Sequence, residues 1–359
     1  MMNENDSILV FEYFTASGEK DKCIISEAEA LIFALLDDLS GFNVDLVINS
    51  SYENIVGKYD NVNPILIDED IIGWLKDNAI NFTDAIFIAA ENNNNLYNIT
   101  KILEDSNVNI YTSSAEACFK TSDKYETYEA LPGEIPQPKS FKLEIDSERH
   151  WKGAIENLHE KWQSENPSKL LKLIIKPLMG VDCENIVILE DIGDVSYNLE
   201  NIFPAGSMVL VQEYIEGTDI SVSLISDGIK AVPISLNKQY VELKDDKGTY
   251  IGGKLPYGSK CKKEAFEIAT KAVESIDGLK GFVGADLLIS DDEDSVYLLE
   301  INSRFTTPYV GLCKVADFNI GETIIELIDG NIAVDDLNIS LDGSVEFKKF
   351  GDSLEIRRI

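Results

Sequence analysis

The chain has 359 residues, 44% of them hydrophobic and 26% charged, ordinary globular usage that excludes disorder, a collagen-like repeat and a coiled coil and allows two or three domains. Lys and Arg number 31 against 64 Asp and Glu, a formal net charge of −33 that repels nucleic acid backbones and anionic lipid surfaces, so neither is an expected partner. An anionic substrate must enter against the same field, which predicts that a nucleotide site shows concentrated Lys and Arg together with a divalent cation.

Along the first 115 residues, the apolar runs 7–14, 44–50, 63–68, 84–90 and 108–114 predict parallel strands. Ser26 followed by Glu29 reads as a capping box, after which Leu31, Ile32, Leu35, Leu36 and Leu39 share one helical face. A second helix is predicted over 95–105, and the alternation gives a doubly wound α/β domain. Ligands in that architecture bind beyond the carboxyl ends of the strands, which here carry Thr15 to Gly18 and Glu91 to Asn94. The Asn run fits a solvated turn and a substrate loop equally well. Neither G-x-G-x-x-G nor G-x-x-x-x-G-K-[ST] occurs, so a dinucleotide domain and a P-loop are set aside.

From residue 116 the texture changes to a helix ending at Pro132-Gly133, then to two β-rich runs in 170–190 joined by Leu178 to Cys183. Further β-rich runs follow at 208–215, 220–226 and 231–236. Beyond them come a Gly/Lys/Asp loop at 244–259 that reads equally as a lid and as an ordinary hairpin loop, a helix at 262–276, and the pair GADLLIS and VYLLEIN. A helix at 320–327 precedes a strand-like tail. The five cysteines are scattered, odd in number and without a C-x-x-C pair, which predicts a reducing cytosol rather than disulfides or zinc. No signal peptide and no 18-residue apolar run is present, so a cytoplasmic location is expected. His150 and His159, in a polar stretch, are expected at the surface.

The strongest chemical signal is Asp286 followed, fourteen residues on, by Glu300-Ile301-Asn302-Ser303-Arg304. Alternation in a strand points Glu300, Asn302 and, if the strand persists, Arg304 to one face, with Asp286 opposite on the hairpin. Two carboxylates and an amide oxygen suit Mg²⁺ that keeps waters and binds phosphates, and Arg304 adds a planar cation for a transferring phosphoryl group. Lys176 ends the apolar strand IIKP, where its ammonium should meet an anion. Lys124, taken alone, reads as a helix-surface lysine. In Gln212-Glu213-Tyr214-Ile215-Glu216-Gly217-Thr218-Asp219 the strand breaks where backbone groups could pair with a purine edge, and Asp219 could bind ribose hydroxyls.

In this order and spacing, from about Thr121 to Gly311, these motifs resemble the ATP-grasp superfamily of carboxylate-amine ligases. The resemblance implies an α/β plus α+β architecture: an N-terminal parallel-sheet domain (1–115), two ATP-grasp lobes (116–210 and 211–330) with ATP between them, and a tail (331–359) packing on the body. It implies that Lys124 and Lys176 hold ATP phosphates, that Gln212, Glu213, Tyr214 and Ile215 bind adenine, and that Asp219 binds the ribose. It further implies that Asp286, Glu300 and Asn302 bind two Mg²⁺ ions, with Mn²⁺ an alternative, while Lys176 and Arg304 act on the transferring phosphoryl group. Many family members carry several glycines after I-K-P, whereas here Gly180 is followed by Val181-Asp182-Cys183-Glu184, a departure in the phosphate-cradling loop. A narrower resemblance, carried by FEYFTASG, KPLMGVDCENI and LLEINSRFTTPYVGL, is to the archaeal ligases that join L-glutamate to tyramine in methanofuran biosynthesis. It implies those two substrates beside ATP and is compatible with a homodimer. The rival readings are a ligase for another amino acid and amine pair, as in pyrrolysine formation, a bicarbonate-activating carboxylase, and a non-catalytic nucleotide-binding protein.

Overall fold

The computed structural model describes residues 7–165, 167, 170–180, 185–190, 199–244, 247–291 and 295–359, and three sheets organise them. The chain opens with β1 (Ser7–Glu12), the short helix α1 (Tyr13–Ser17) and the long helix α2 (Lys22–Asp38). Glu12 caps α1 by accepting from the amides of Phe14 and Thr15 at 3.1 and 2.8 Å. Asp21 caps α2, accepting from Cys23 and Ile24, so the N-cap lies five residues before the expected one at Ser26. Ser26 lies inside it and accepts instead from the Leu354 amide at 2.9 Å. There follow β2 (Asn43–Asn49), β3 (Val62–Ile67), α3 (Ile71–Asn78), β4 (Asp84–Ile88), α4 (Asn95–Asp105) and β5 (Asn109–Ile110). The five strands pair in parallel in the order β3-β2-β1-β4-β5, the doubly wound arrangement expected.

The single helix expected after residue 114 is two, α5 (Ala115–Ser122) and α6 (Lys124–Ala130). Asp123 stands between them in an extended conformation, and its carboxylate caps α6 by accepting from Tyr125 and Glu126. The second sheet is antiparallel and comprises β6 (Ser140–Ile145), β7 (Lys172–Pro177), β8 (Val187–Leu189) and β9 (Ser207–Tyr214), in the order β6-β9-β7-β8, with α7 (Glu148–Glu165) packed against it. Because β9 runs to Tyr214, the chain changes sheets at 215–216 rather than at 210.

The third sheet takes β10 (Gly217–Asp227), β11 (Ala231–Lys244), β12 (Lys247–Leu255), β13 (Lys280–Ser290) and β14 (Val296–Asn302), with α8 (Lys262–Glu274) covering one face. After α9 (Pro308–Leu312) and α10 (Ile320–Ile328), the expected tail supplies β15 (Val345–Phe350) and β16 (Ser353–Arg358) to the same sheet, whose order is β14-β13-β10-β11-β12-β15-β16. Residues 247–255 of the candidate lid are therefore a central strand, hydrogen-bonded to β11 on one side and β15 on the other. One apolar cluster joins Ile8, Val10, Ile32 and Leu35 of the parallel-sheet domain to Phe282, Phe305, Tyr309 and Ile324 of the C-terminal lobe, whereas Trp151, Ile155, Leu173 and Val209 belong to a separate cluster. Among the described residues no helix is long and apolar enough to cross a membrane.

Candidate functional site

A cavity of about 310 Å³ is lined by strands of the two antiparallel sheets together with Glu27 and Glu91 of the parallel-sheet domain. All eleven residues singled out in the sequence line it: Lys124, Lys176, Gln212, Glu213, Tyr214, Ile215, Asp219, Asp286, Glu300, Asn302 and Arg304. The β13–β14 hairpin sets its floor. Asp286 lies opposite Glu300 and Gly284 opposite Asn302, so strand alternation brings both carboxylates and the amide to one face. Asn302 Nδ2 donates to Asp286 Oδ2 at 2.9 Å, and Gln239 Nε2, from β11, donates to Asp286 Oδ1 at 2.8 Å. The strand stops at Asn302, so Arg304 is not its next outward residue. It reaches the cavity from the segment beyond, where its Nε donates to Glu91 Oε2 at 2.7 Å.

The α5–α6 break puts Lys124 at a helix start, its amide donating to Leu178 O at 3.0 Å, and turns a surface lysine into a site lysine. Its Nζ lies 3.0 Å from Glu300 Oε2 and donates to Gly180 O at 3.1 Å. Burial and then the neighbouring Glu300 carboxylate push Asp286 well above the usual carboxylate range. Burial would raise Glu300 too, but the ammonium groups of Lys124 and Lys176 outweigh it and hold Glu300 well below that range. Burial raises Asp219.

At the other end, Gln212 Nε2 donates to Ser140 Oγ at 2.8 Å, while the Glu213 amide donates to Lys139 O at 2.8 Å and is thereby committed to the sheet. A Cβ on Gly217 would stand 2.2 Å from Ile289 O, so only glycine lets the chain pass here from one sheet to the next. The glycine-poor stretch Val181 to Glu184 lies outside the described residues. Cys118, Cys261, Cys23 and Cys313 are free thiols, and burial pushes Cys118 up to about 12, which leaves it protonated. His150 is exposed and His159 half-buried against Leu171 O, and neither lines the cavity.

Among the described residues no group of three or more His, Cys, Asp and Glu side chains could enclose a metal. The set formed by Asp286, Glu300 and Asn302 nevertheless fits Mg²⁺, which keeps several waters and shares its ligands with phosphates rather than entering an all-protein cage. Lys124 already places a positive charge on Glu300.

Sequence reasoning missed Gln239 and the partnership of Glu91 with Arg304. Gln239 ends a polar alternation, Ser235, Asn237, Gln239, on a strand whose first two members are buried, and that alternation was its only sequence signal.

Residues 121–308 match the family described as the ATP-grasp domain. The tyramine–L-glutamate ligase of Methanocaldococcus fervens is 32% identical over 343 residues, covering 94% of this chain and 97% of that protein. The tyramine–L-glutamate ligase of Methanocaldococcus jannaschii is also 32% identical, over 85% of this chain and 84% of its own length. A solved ATP-grasp superfamily protein from Archaeoglobus fulgidus superposes with a TM-score of 0.69 at 22% identity, covering 99% of this chain and all of that one, a likeness of fold.

Proposed function

The chain belongs to the ATP-grasp family, and on that premise we propose that it joins the γ-carboxylate of L-glutamate to the amine of tyramine, using ATP and releasing ADP and phosphate. The observation that carries this reading is a similarity to two tyramine–L-glutamate ligases that runs through nearly the whole of this chain and of the Methanocaldococcus fervens enzyme, the parallel-sheet domain included. A match confined to the ATP-binding lobes would have left the substrates open.

In this reading the adenine lies against Gln212 to Ile215, and Asp219 accepts from the ribose hydroxyls. Lys124 and Lys176 turn from Glu300 to the triphosphate. Asp286, Glu300 and Asn302 would hold Mg²⁺, or Mn²⁺, which when bound offsets the charge of the phosphates. A glutamate γ-carboxylate oxygen attacks the γ-phosphorus as the bond to ADP breaks, and Arg304 donates to the transferring phosphoryl oxygens. The neutral amine then attacks the acyl carbon, phosphate leaves, and the amine nitrogen gives up its extra proton. No enzyme nucleophile enters this scheme, in keeping with the protonated, buried Cys118 thiol. The free thiols suit a reducing cytosol.

Glutamate carrying ¹⁸O in its γ-carboxylate, incubated with tyramine, ATP and Mg²⁺, should pass one label atom to the released phosphate while γ-glutamyltyramine accumulates. Unlabelled phosphate would exclude the acyl phosphate. Labelled phosphate with another amine but not with tyramine would keep the ligase chemistry and reject this substrate pair.

A further inference from the structure

Glu91 stands just past β4, at the carboxyl edge of the parallel sheet, and is 8% exposed. Its carboxylate accepts from Arg304 Nε across 213 residues of sequence. The turn that presents it has Asn93 and Asn94 in left-handed conformations, at φ 55° and 59°, and is closed by the Asn94 amide donating to Glu91 O at 3.0 Å. Asparagine is among the few residues other than glycine that adopt this conformation readily, which gives the Asn run a purpose: it builds the turn that aims Glu91.

On the other side the Arg304 backbone is fixed by its neighbours. Ser303 is fully buried and accepts from Thr121 Oγ1 at 3.0 Å. Phe305 is fully buried, stacks on Phe282 with centroids 5.3 Å apart, and its carbonyl accepts from Arg304 Nη1 at 3.2 Å. Those contacts place the Cα. A guanidinium at the end of a four-torsion side chain still needs its plane set, and the Glu91 carboxylate does that by accepting from Nε, from the parallel-sheet domain.

We propose that Glu91 is a positioning residue, through which the parallel-sheet domain orients the Arg304 guanidinium for the transferring phosphoryl group. This rests on the role of Arg304 proposed above. A carboxylate that merely tied two domains together would affect stability alone, and one that bound substrate would act independently of Arg304.

The test is a double-mutant cycle on kcat and on KM for ATP, read by ADP release with melting temperature alongside. Arg304→Ala should lower kcat by about 10²-fold, as loss of a transition-state contact does. Glu91→Ala should lower kcat by about 10- to 10²-fold with KM for ATP within about twofold, because a misplacement of order 1 Å is enough for such a loss. Glu91→Gln keeps an acceptor for Nε and should stay within about threefold of wild type. In the Arg304→Ala background Glu91→Ala should cost nothing more. If Glu91→Ala fails to fold, Glu91→Asp, which withdraws the carboxylate by one methylene, runs the same cycle. Multiplying effects would make Glu91 a substrate ligand and overturn the proposal, as would a lowered melting temperature with kcat intact. A normal Arg304→Ala enzyme would instead reject the role of Arg304.

Discussion

Glu300 is ionised because Lys124 and Lys176 face it, so its charge, not only its shape, is the property to remove. Glu300→Gln, which keeps the shape of the side chain, should still fold and should lose turnover by at least about 10²-fold, the scale of one lost transition-state electrostatic contact. Near-normal turnover would reject a role in holding cations against phosphate. Lys176→Ala should weaken ATP binding by about 1.5–3 kcal/mol in calorimetry, the usual range for a charge-assisted contact. An unchanged affinity would make Lys176 a structural lysine. Glu12 carries a pH dependence of a different kind. Burial pushes it from 4.5 up to about 7, against the opposing effect of the Thr15 and Phe14 amides. Between those two values the folded state holds a proton that the unfolded state has lost, so stability falls as pH rises through the window, by on the order of 3 kcal/mol in all. Glu12→Gln cannot titrate, and should gain stability relative to wild type as pH rises from about 4.5 to 7 in denaturant melts. A constant difference across that range would refute the shift. At this scale the sequence was most readable where one strand supplies several site residues: Glu300 and Asn302 follow from a period of two. Gln239 and Glu91 were not readable as partners, because their contacts span 47 and 213 residues and depend on which strands become neighbours.

Elements were legible where their apolar period was long and uninterrupted, as in β1, β4, α4, α8 and β13, and less so where a polar side chain decided a boundary. Asp21 moved the start of α2 back by five residues, and Asp123 divided a continuous helical pattern in two. Both are capping events, in which one carboxylate satisfies two amides that periodicity does not register. The second of them matters for the site, since it carries Lys124 to Glu300. The glycines of residues 244–259 read as mobility, yet Gly252 and Gly253 serve close packing. A Cβ on Gly252 would stand 2.1 Å from Phe347 O, at a φ of 139°, and one on Gly253 would meet the Lys238 carbonyl at 2.6 Å and the Phe347 ring at 2.9 Å. Only a side chain of hydrogen lets β15 approach β12, and the weakly patterned tail becomes two strands because that edge is prepared for it. Gly252→Ala should therefore destabilise the fold by about 1–3 kcal/mol, the cost of a strained backbone conformation that a lid residue in open space would not incur. A melting temperature equal to wild type would return 244–259 to the status of a loop.

The whole molecule sets a problem that its cavity does not solve locally. A nucleotide site in a chain of net charge −33 was expected to concentrate Lys and Arg, yet among the described residues the cavity lining holds three basic residues, Lys124, Lys176 and Arg304, against six acidic ones, Glu27, Glu91, Glu213, Asp219, Asp286 and Glu300. Lining carboxylates already face these cations: Lys124 pairs with Glu300 and Arg304 with Glu91, and Lys176 also acts on Glu300. The approach of ATP is then governed by the repulsive field of the whole surface, and the attractive groups act only at contact. Screening that field should help. The Debye length falls from about 30 Å at 0.01 M salt to about 8 Å at 0.15 M, which removes long-range repulsion while leaving partly buried pairs in the cavity little affected. The value of kcat/KM for ATP, measured at saturating Mg²⁺, should accordingly rise with KCl over that range, with kcat nearly constant. A fall would mean that the three cations steer the nucleotide in spite of their carboxylate partners, and that the local field of the cavity, rather than the acidic surface, controls entry.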